Sequence, residues 1–191
     1  MMNLLYEPFP ESITADGTGY PIITDFREWF RFSDMIHDSS LSSDEKLLLM
    51  CDYLARPPEQ ITESIVRAIF DFYTARALEP ETHQYYDDAD EAQKPAQRPV
   101  FDWKYDAKYL LADFRRYYSI DLLKAEMHWW EFRSLFAALP DSSLSQKRIA
   151  YRSADLSQIK DSKRRTEIAR IQQLIALPYE MTDDEISAVF E

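Results

Sequence analysis

Few residues in this 191-residue chain are of types that do chemistry, and their spacing argues against it. There are three histidines, His37, His83 and His128, and one cysteine, Cys51. A zinc-type site needs ligands at short fixed intervals, as in Cys-x-x-Cys or His-Glu-x-x-His, and the chain holds neither run. No serine has the glycine-flanked setting of a nucleophile elbow. The only glycines are Gly17 and Gly19. That excludes a glycine-rich phosphate loop and a dinucleotide fingerprint, both of which need backbone to approach phosphate closely. Carboxylates abound, but no pair is set among apolar residues that would push one pKa away from the other. Cys51 lies in an apolar helical run with no partner for an internal disulfide, as expected of a buried thiol in a reducing compartment. His128 falls on an apolar face and reads as a core histidine with one hydrogen bond. The expectation is a protein that is not an enzyme and takes no cofactor and no metal.

What remains is binding. Net charge is −12 and uneven: residues 1–100 hold 8 basic against 19 acidic side chains, whereas residues 147–170 hold 8 against 3. Within the basic segment Lys163, Arg164 and Arg165 are contiguous, as on a solvated helix face or a protein contact. An acidic chain is a poor match to nucleic acid, where phosphate contacts dominate affinity. No window approaches the roughly 18 apolar residues of a membrane span, and no signal peptide precedes Glu7. If the acidic and basic regions lie at opposite ends, copies can associate head to tail.

The element expected to position everything else is a helix from Asp121 to Leu139. At about 100° per residue, Ala125, His128, Trp129, Phe132, Leu135, Phe136 and Leu139 share one broad apolar face. Leu123, Met127, Trp130 and Ala138 fall opposite. A helix apolar nearly all round is buried or covered by a partner. Met127, Trp129 and Trp130, with Lys163, Arg164 and Arg165, are therefore the candidate partner-binding residues. Asp121 suits the N-cap and Pro140 stops the helix.

Around it, Ser12–Ala15 and Tyr20–Ile23 flank Asp16-Gly17-Thr18-Gly19, a hairpin signal. Helices follow from Thr24 or Asp25 to about Asp38, from the capping box Ser42–Glu45, and from Pro57-Pro58 to about Ala77. Residues 78–100 carry acids and prolines without apolar periodicity, as a linker or exposed loop does. Helices are then expected over about Lys104–Tyr118, Ser143–Arg152, a basic stretch ending at Pro178, and a short piece after the capping box Thr182–Glu185. The expected fold is mainly α: a multi-helix bundle with a short N-terminal β-hairpin and a long acidic loop. Residues 1–191 form one domain on this reading, with 1–77, 78–100 and 101–191 as its parts.

Several motifs in order resemble a known family. They are Thr24-Asp-Phe-Arg27 with Trp29 and Phe32; Phe101-Asp-Trp103 with Asp106; Phe114, Tyr117 and Ile120-Asp-Leu122; His128-Trp-Trp130 with Phe132, Leu135 and Leu139-Pro140; and Arg152 with Asp155-Leu-Ser157. The resemblance is to small tail-region proteins called gene product fifteen, from siphophages and prophages of Gram-positive bacteria. One departure is Ser119, where that family has glycine; a left-handed joint there would strain serine. The resemblance implies a tail assembly chaperone. Such a protein is encoded between the major tail protein and the tape measure, and it binds the tape measure while tube protein polymerises around it. It works in the cytoplasm of the infected or lysogenic host and is absent from the finished virion. The alternatives are a minor tail component retained in the virion and a small nucleic-acid-binding regulator using residues 147–170.

Overall fold

The computed structural model describes residue 3 and residues 5–78 and 99–178. The acidic stretch expected at 78–100 lies almost wholly outside the described residues, as does the helix expected after Thr182. Among the described residues are seven α-helices and one two-stranded sheet, so the fold is mainly α with an N-terminal hairpin. The chain divides into two compact units. One is Met1–Ala92 with Ala125–Ala138, and the other is Gln93–Lys124 with Leu139–Glu191.

The first unit opens with β1 (Ser12–Ala15) antiparallel to β2 (Thr18–Pro21), Ala15 opposite Thr18. Asp16 and Gly17 turn the chain at φ 50° and 75°, as a two-residue type I′ hairpin requires. The turn is two residues shorter than expected, because Thr18 and Gly19 pair in the ladder. Strand alternation buries Ile13 and Ala15, which face α3. Helix α1 (Phe26–His37) starts where Asp25 accepts from Arg27 N at 2.8 Å. Helix α2 (Ser43–Cys51) carries the expected capping box: Ser42 Oγ accepts from Glu45 N, and Glu45 Oε2 accepts from Ser42 N. Helix α3 is Glu63–Thr74. It starts later than the prolines at 57 and 58 suggest, because Thr62 is its cap, accepting from Ile65 N while its hydroxyl donates to Asp16 Oδ2 at 2.6 Å.

The central stretch departs most from expectation. Only Trp129–Ala137 is helical (α5), while 122–124 turn and 125–127 are irregular. The reason is a backbone bridge to a distant segment. Residues Asp25 and His128 pair antiparallel. Phe26 N donates to the Met127 carbonyl at 3.2 Å, and Trp129 N donates to the Thr24 carbonyl at 2.7 Å. A helix through Met127 would direct these groups along its own axis instead. The bridge sets α5 against α1, and the two helices share a core with α3. Trp29, Phe26, Phe32, Ile65, Ile69, Trp129 and Phe132 are fully buried there.

The second unit holds α4 (Ala107–Tyr118), α6 (Leu144–Ser153) and α7 (Ser162–Leu174). Helix α4 packs on α6 and α6 on α7. Leu110 and Phe114 are buried on α4, together with two carboxylates, Asp106 and Asp113. Helix α4 ends at Ser119, whose φ of 58° is left-handed. Ile120 N reaches back to the Phe114 carbonyl at 3.2 Å. This is the joint that glycine makes without strain. No residue of α7 is fully buried.

Candidate functional site

The three apolar candidates for a partner surface lie in the core of the first unit. Trp129 is 0% exposed, Trp130 4% and Met127 8%. Both indoles are also tied to α3: Trp129 Nε1 donates to the Tyr73 carbonyl at 2.7 Å, and Trp130 Nε1 to the Phe72 carbonyl at 2.8 Å. Trp129 stacks on Tyr73 with ring centroids 5.9 Å apart and planes 3° from parallel. A buried indole whose N–H is satisfied by backbone is a packing element. Of the second apolar face read from the sequence, Met127 and Trp130 therefore belong to the interior, whereas Leu123, at 70%, and Ala138 are exposed.

His128 is the cap of α5. Trp130 N–H donates to His128 Nδ1 at 3.0 Å, and Nε2 lies 3.0 Å from the Pro10 carbonyl. These two bonds need one neutral tautomer, with the proton on Nε2. Phe9 stacks on the ring at 4.9 Å. Burial lowers the His128 pKa from its ordinary value and outweighs the Pro10 carbonyl, Glu131 and Glu11, which raise it. The imidazole thus holds a helix start. Cys51 is buried, its thiol pushed up by burial and by Asp52. Tyr53 is pushed up to about 12, chiefly by burial, and its hydroxyl donates to the Glu28 carbonyl at 2.9 Å. Among the described residues no three His, Cys, Asp or Glu side chains are grouped to hold a metal ion.

The second unit is organised by buried charge. Asp106 is fully buried. Arg152 Nη2 donates to Asp106 Oδ1 at 3.0 Å and Arg148 Nε donates to the same oxygen at 2.9 Å; Arg152 Nη1 and Asp102 N donate to Oδ2. Arg148 and Arg152 stand one turn apart on α6, so both reach one carboxylate. Arg152 also ties down two chain segments, donating to the Val100 carbonyl at 3.0 Å and the Ile175 carbonyl at 2.8 Å. Burial by itself would raise the Asp106 pKa; the hydrogen bonds from Arg152, backbone and Arg148 outweigh it and hold the carboxyl below the ordinary value. Asp113 does a separate job. Its two oxygens accept from Leu144 N at 3.0 Å and Ser145 N at 2.7 Å, while Ser143 Oγ accepts from Gln146 N at 3.2 Å. The first-turn amides of α6 are thereby satisfied. Asp113 was detectable in principle, since it is a lone acid three residues after Leu110 on the buried stripe of α4.

Lys163, Arg164 and Arg165 lie at the start of α7 and are exposed, as expected. Asp161 caps this helix, accepting from Arg164 N at 2.7 Å. Large apolar side chains are exposed elsewhere, Leu48 at 64% and Leu174 at 74% among them. Among the described residues no helix is long and apolar enough to cross a membrane.

A mainly α protein with an N-terminal hairpin, an aromatic core and a buried Asp–Arg lock is the class that fold and geometry define. The model of the family described as bacteriophage Gp15 protein matches residues 5–177. The chain belongs to that family. Comparison with curated proteins and with solved structures gives no match.

Proposed function

We propose that this chain is a phage tail assembly chaperone, which binds the tape measure and tube proteins during tail morphogenesis and catalyses no reaction. The observation that carries the proposal is membership of the bacteriophage Gp15 family over residues 5–177. The tail-assembly role is what the resemblance to gene product fifteen implies. Burial supports a binding role at the surface rather than at a cleft. The motif residues Trp29, Asp106, Trp129 and Trp130 are buried and hydrogen-bonded to their own chain. Recognition is then left to exposed side chains such as Leu48, Lys163, Arg164, Arg165 and Leu174. In this role the protein acts in the host cytoplasm, before the tail is complete.

The test is co-purification from cells expressing the tail genes. Tape measure should accompany this chain at low and moderate salt, and its absence from the captured material would overturn the proposal. Mass spectrometry of purified virions supplies a second arm. Trace amounts are expected, whereas a stoichiometric copy number would make the protein a structural tail component.

A further inference from the structure

Helix α7 is fastened to its unit near one end only. Among the described α-helices it alone has no buried residue. Residues 161–167 are exposed throughout. An open cleft of about 590 Å³ lies beside this end, lined in part by Arg164 and Ile168 of α7 and by Ala150, Tyr151 and Ala154. The attachment is at the other end. Ile168, Ile171 and Ile175 are half-buried there, and they fall within about 60° of one another around the helix. Beside them Gln172 Nε2 donates to the Tyr151 and Ala154 carbonyls at 2.9 and 2.8 Å. The Ile175 carbonyl accepts from Arg152 Nε at 2.8 Å.

Little of this is hard to undo. Tyr151 and Ala154 lie at the end of α6, where carbonyls lack a donor within their own helix. Tyr151 is 37% exposed, so water can stand in for the Gln172 amide. The bonds that join α4 to α6 do not involve α7. They are those of Asp106 with Arg148 and Arg152, and of Asp113 with Leu144 and Ser145. Arg152 keeps Asp106 and the Val100 carbonyl when Ile175 departs, and the place of the Ile175 carbonyl then opens to water. Loss of α7 therefore exposes three half-buried isoleucines and leaves no polar group sealed from solvent. These are the conditions under which one element opens ahead of the rest of its unit.

We infer that α7 is a hinged strap: it swings off α6 as one piece about residues 155–161, with Gln172 as its latch, while α4 and α6 stay joined. Residues 155–161 contain no α-helix, only the 3-10 turn Leu156–Gln158, so they can turn without breaking a helical ladder. Closed, the strap withholds the Ile168–Ile171–Ile175 stripe from solvent; open, it offers that stripe and the end of α6 together. The inference does not rest on the tail-assembly proposal and survives its failure.

The experiment is hydrogen exchange on the full chain, read residue by residue by NMR over a series of low urea concentrations. Amides in the body of α7 should share one rate, with protection about tenfold or more below that of α4 and α6. Their rate should depend only weakly on urea, because the opening exposes little surface. Gln172→Met keeps the length and helix propensity of the side chain but has no donor. It should speed exchange throughout α7 by about fivefold or more, the order expected when two hydrogen bonds are lost, and leave α4 and α6 unchanged. Protection in α7 equal to that in α6 would mean that the helix leaves only when the unit unfolds. Rates graded from one end of α7 to the other would mean fraying, and exchange at the open-chain rate would mean that no closed strap forms. Each of these results overturns the inference, as does a Gln172→Met variant whose α7 exchanges like the wild type's.

Discussion

Replacing Asp106 by Asn isolates the energetic centre of the second unit. The wild-type carboxylate is 0% exposed and receives charged donors from both Arg148 and Arg152. Arg152 is itself only 6% exposed in its side chain, and its other donors are fixed on the Val100 and Ile175 carbonyls. The guanidinium therefore has no easy route to water once its counter-charge is gone. Removing one partner of a buried pair costs about 3–5 kcal/mol, mostly the cost of the stranded charge. Set against a typical stability of about 5–15 kcal/mol, that is a third or more of the total. Urea unfolding followed by circular dichroism measures it, and hydrogen exchange should locate the loss in α4 and α6. Three of the four tryptophans, Trp29, Trp129 and Trp130, belong to the first unit and Trp103 to the second, so in a Trp103→Phe background tryptophan fluorescence should move less than exchange at residues 107–118. A variant with Asp106→Leu, Arg148→Met and Arg152→Met removes all three charges and should recover most of the loss, since apolar replacements of buried pairs are often neutral or stabilising by about 1–4 kcal/mol. A cost below about 1 kcal/mol for Asp106→Asn, or a triple variant no better than the single, would refute this account. The pH dependence has a definite sign. The folded carboxyl sits below its ordinary value of 3.8, so the unfolded chain takes up the proton first on acidification. The stabilisation is complete above that value and is lost as pH falls through the folded one.

Other perturbations test single parts of the structure. His128 is held below its ordinary 6.5, so from about pH 6.5 downward the unfolded chain binds the proton first and stability falls with pH until the folded pKa is passed. His128→Asn keeps a capping side chain but does not titrate; its urea midpoint should change less between pH 7.5 and 5.5 than the wild type's, and equal slopes would remove His128 as the cause. Ser119→Gly relieves a left-handed residue and should stabilise by about 0.5–1 kcal/mol in thermal melts; destabilisation would contradict the strain. Trp130→Ala should cost about 3–5 kcal/mol, as truncation of a buried aromatic does, whereas a near-wild-type melting temperature would return Trp130 to the surface. Asp113→Ala strands the amides of Leu144 and Ser145 and should cost about 2–4 kcal/mol, the range expected for buried donors left unmade; exchange protection lost first at the start of α6 is the signature to look for.

The features legible from residue types alone are local. The Ser42–Glu45 capping box, the Asp16-Gly17 turn, the strained joint at Ser119 and the exposed basic start of α7 all stand where residue types predicted. Each depends on groups within a few residues of one another, so the chain carries the whole cause. The mainly α class followed from the same signals summed along the chain. The motif order also carried the family, although periodicity did not.

Tertiary structure decided the rest. Apolar spacing through residues 121–128 satisfied a helix, yet Thr24 and Phe26, roughly a hundred positions away, took the backbone groups of Trp129 and Met127 and made that stretch a bridge. The same bridge turned His128 from a mid-helix residue into a cap and carried Trp130 into the core. Asp106 met Arg148 and Arg152 across more than 40 residues, and Asp113 met the start of α6 across about 30. Spacing along a chain encodes which side chains share a face of one element. It does not encode which distant backbone or counter-charge competes for them, because that depends on burial, which only the packed elements create.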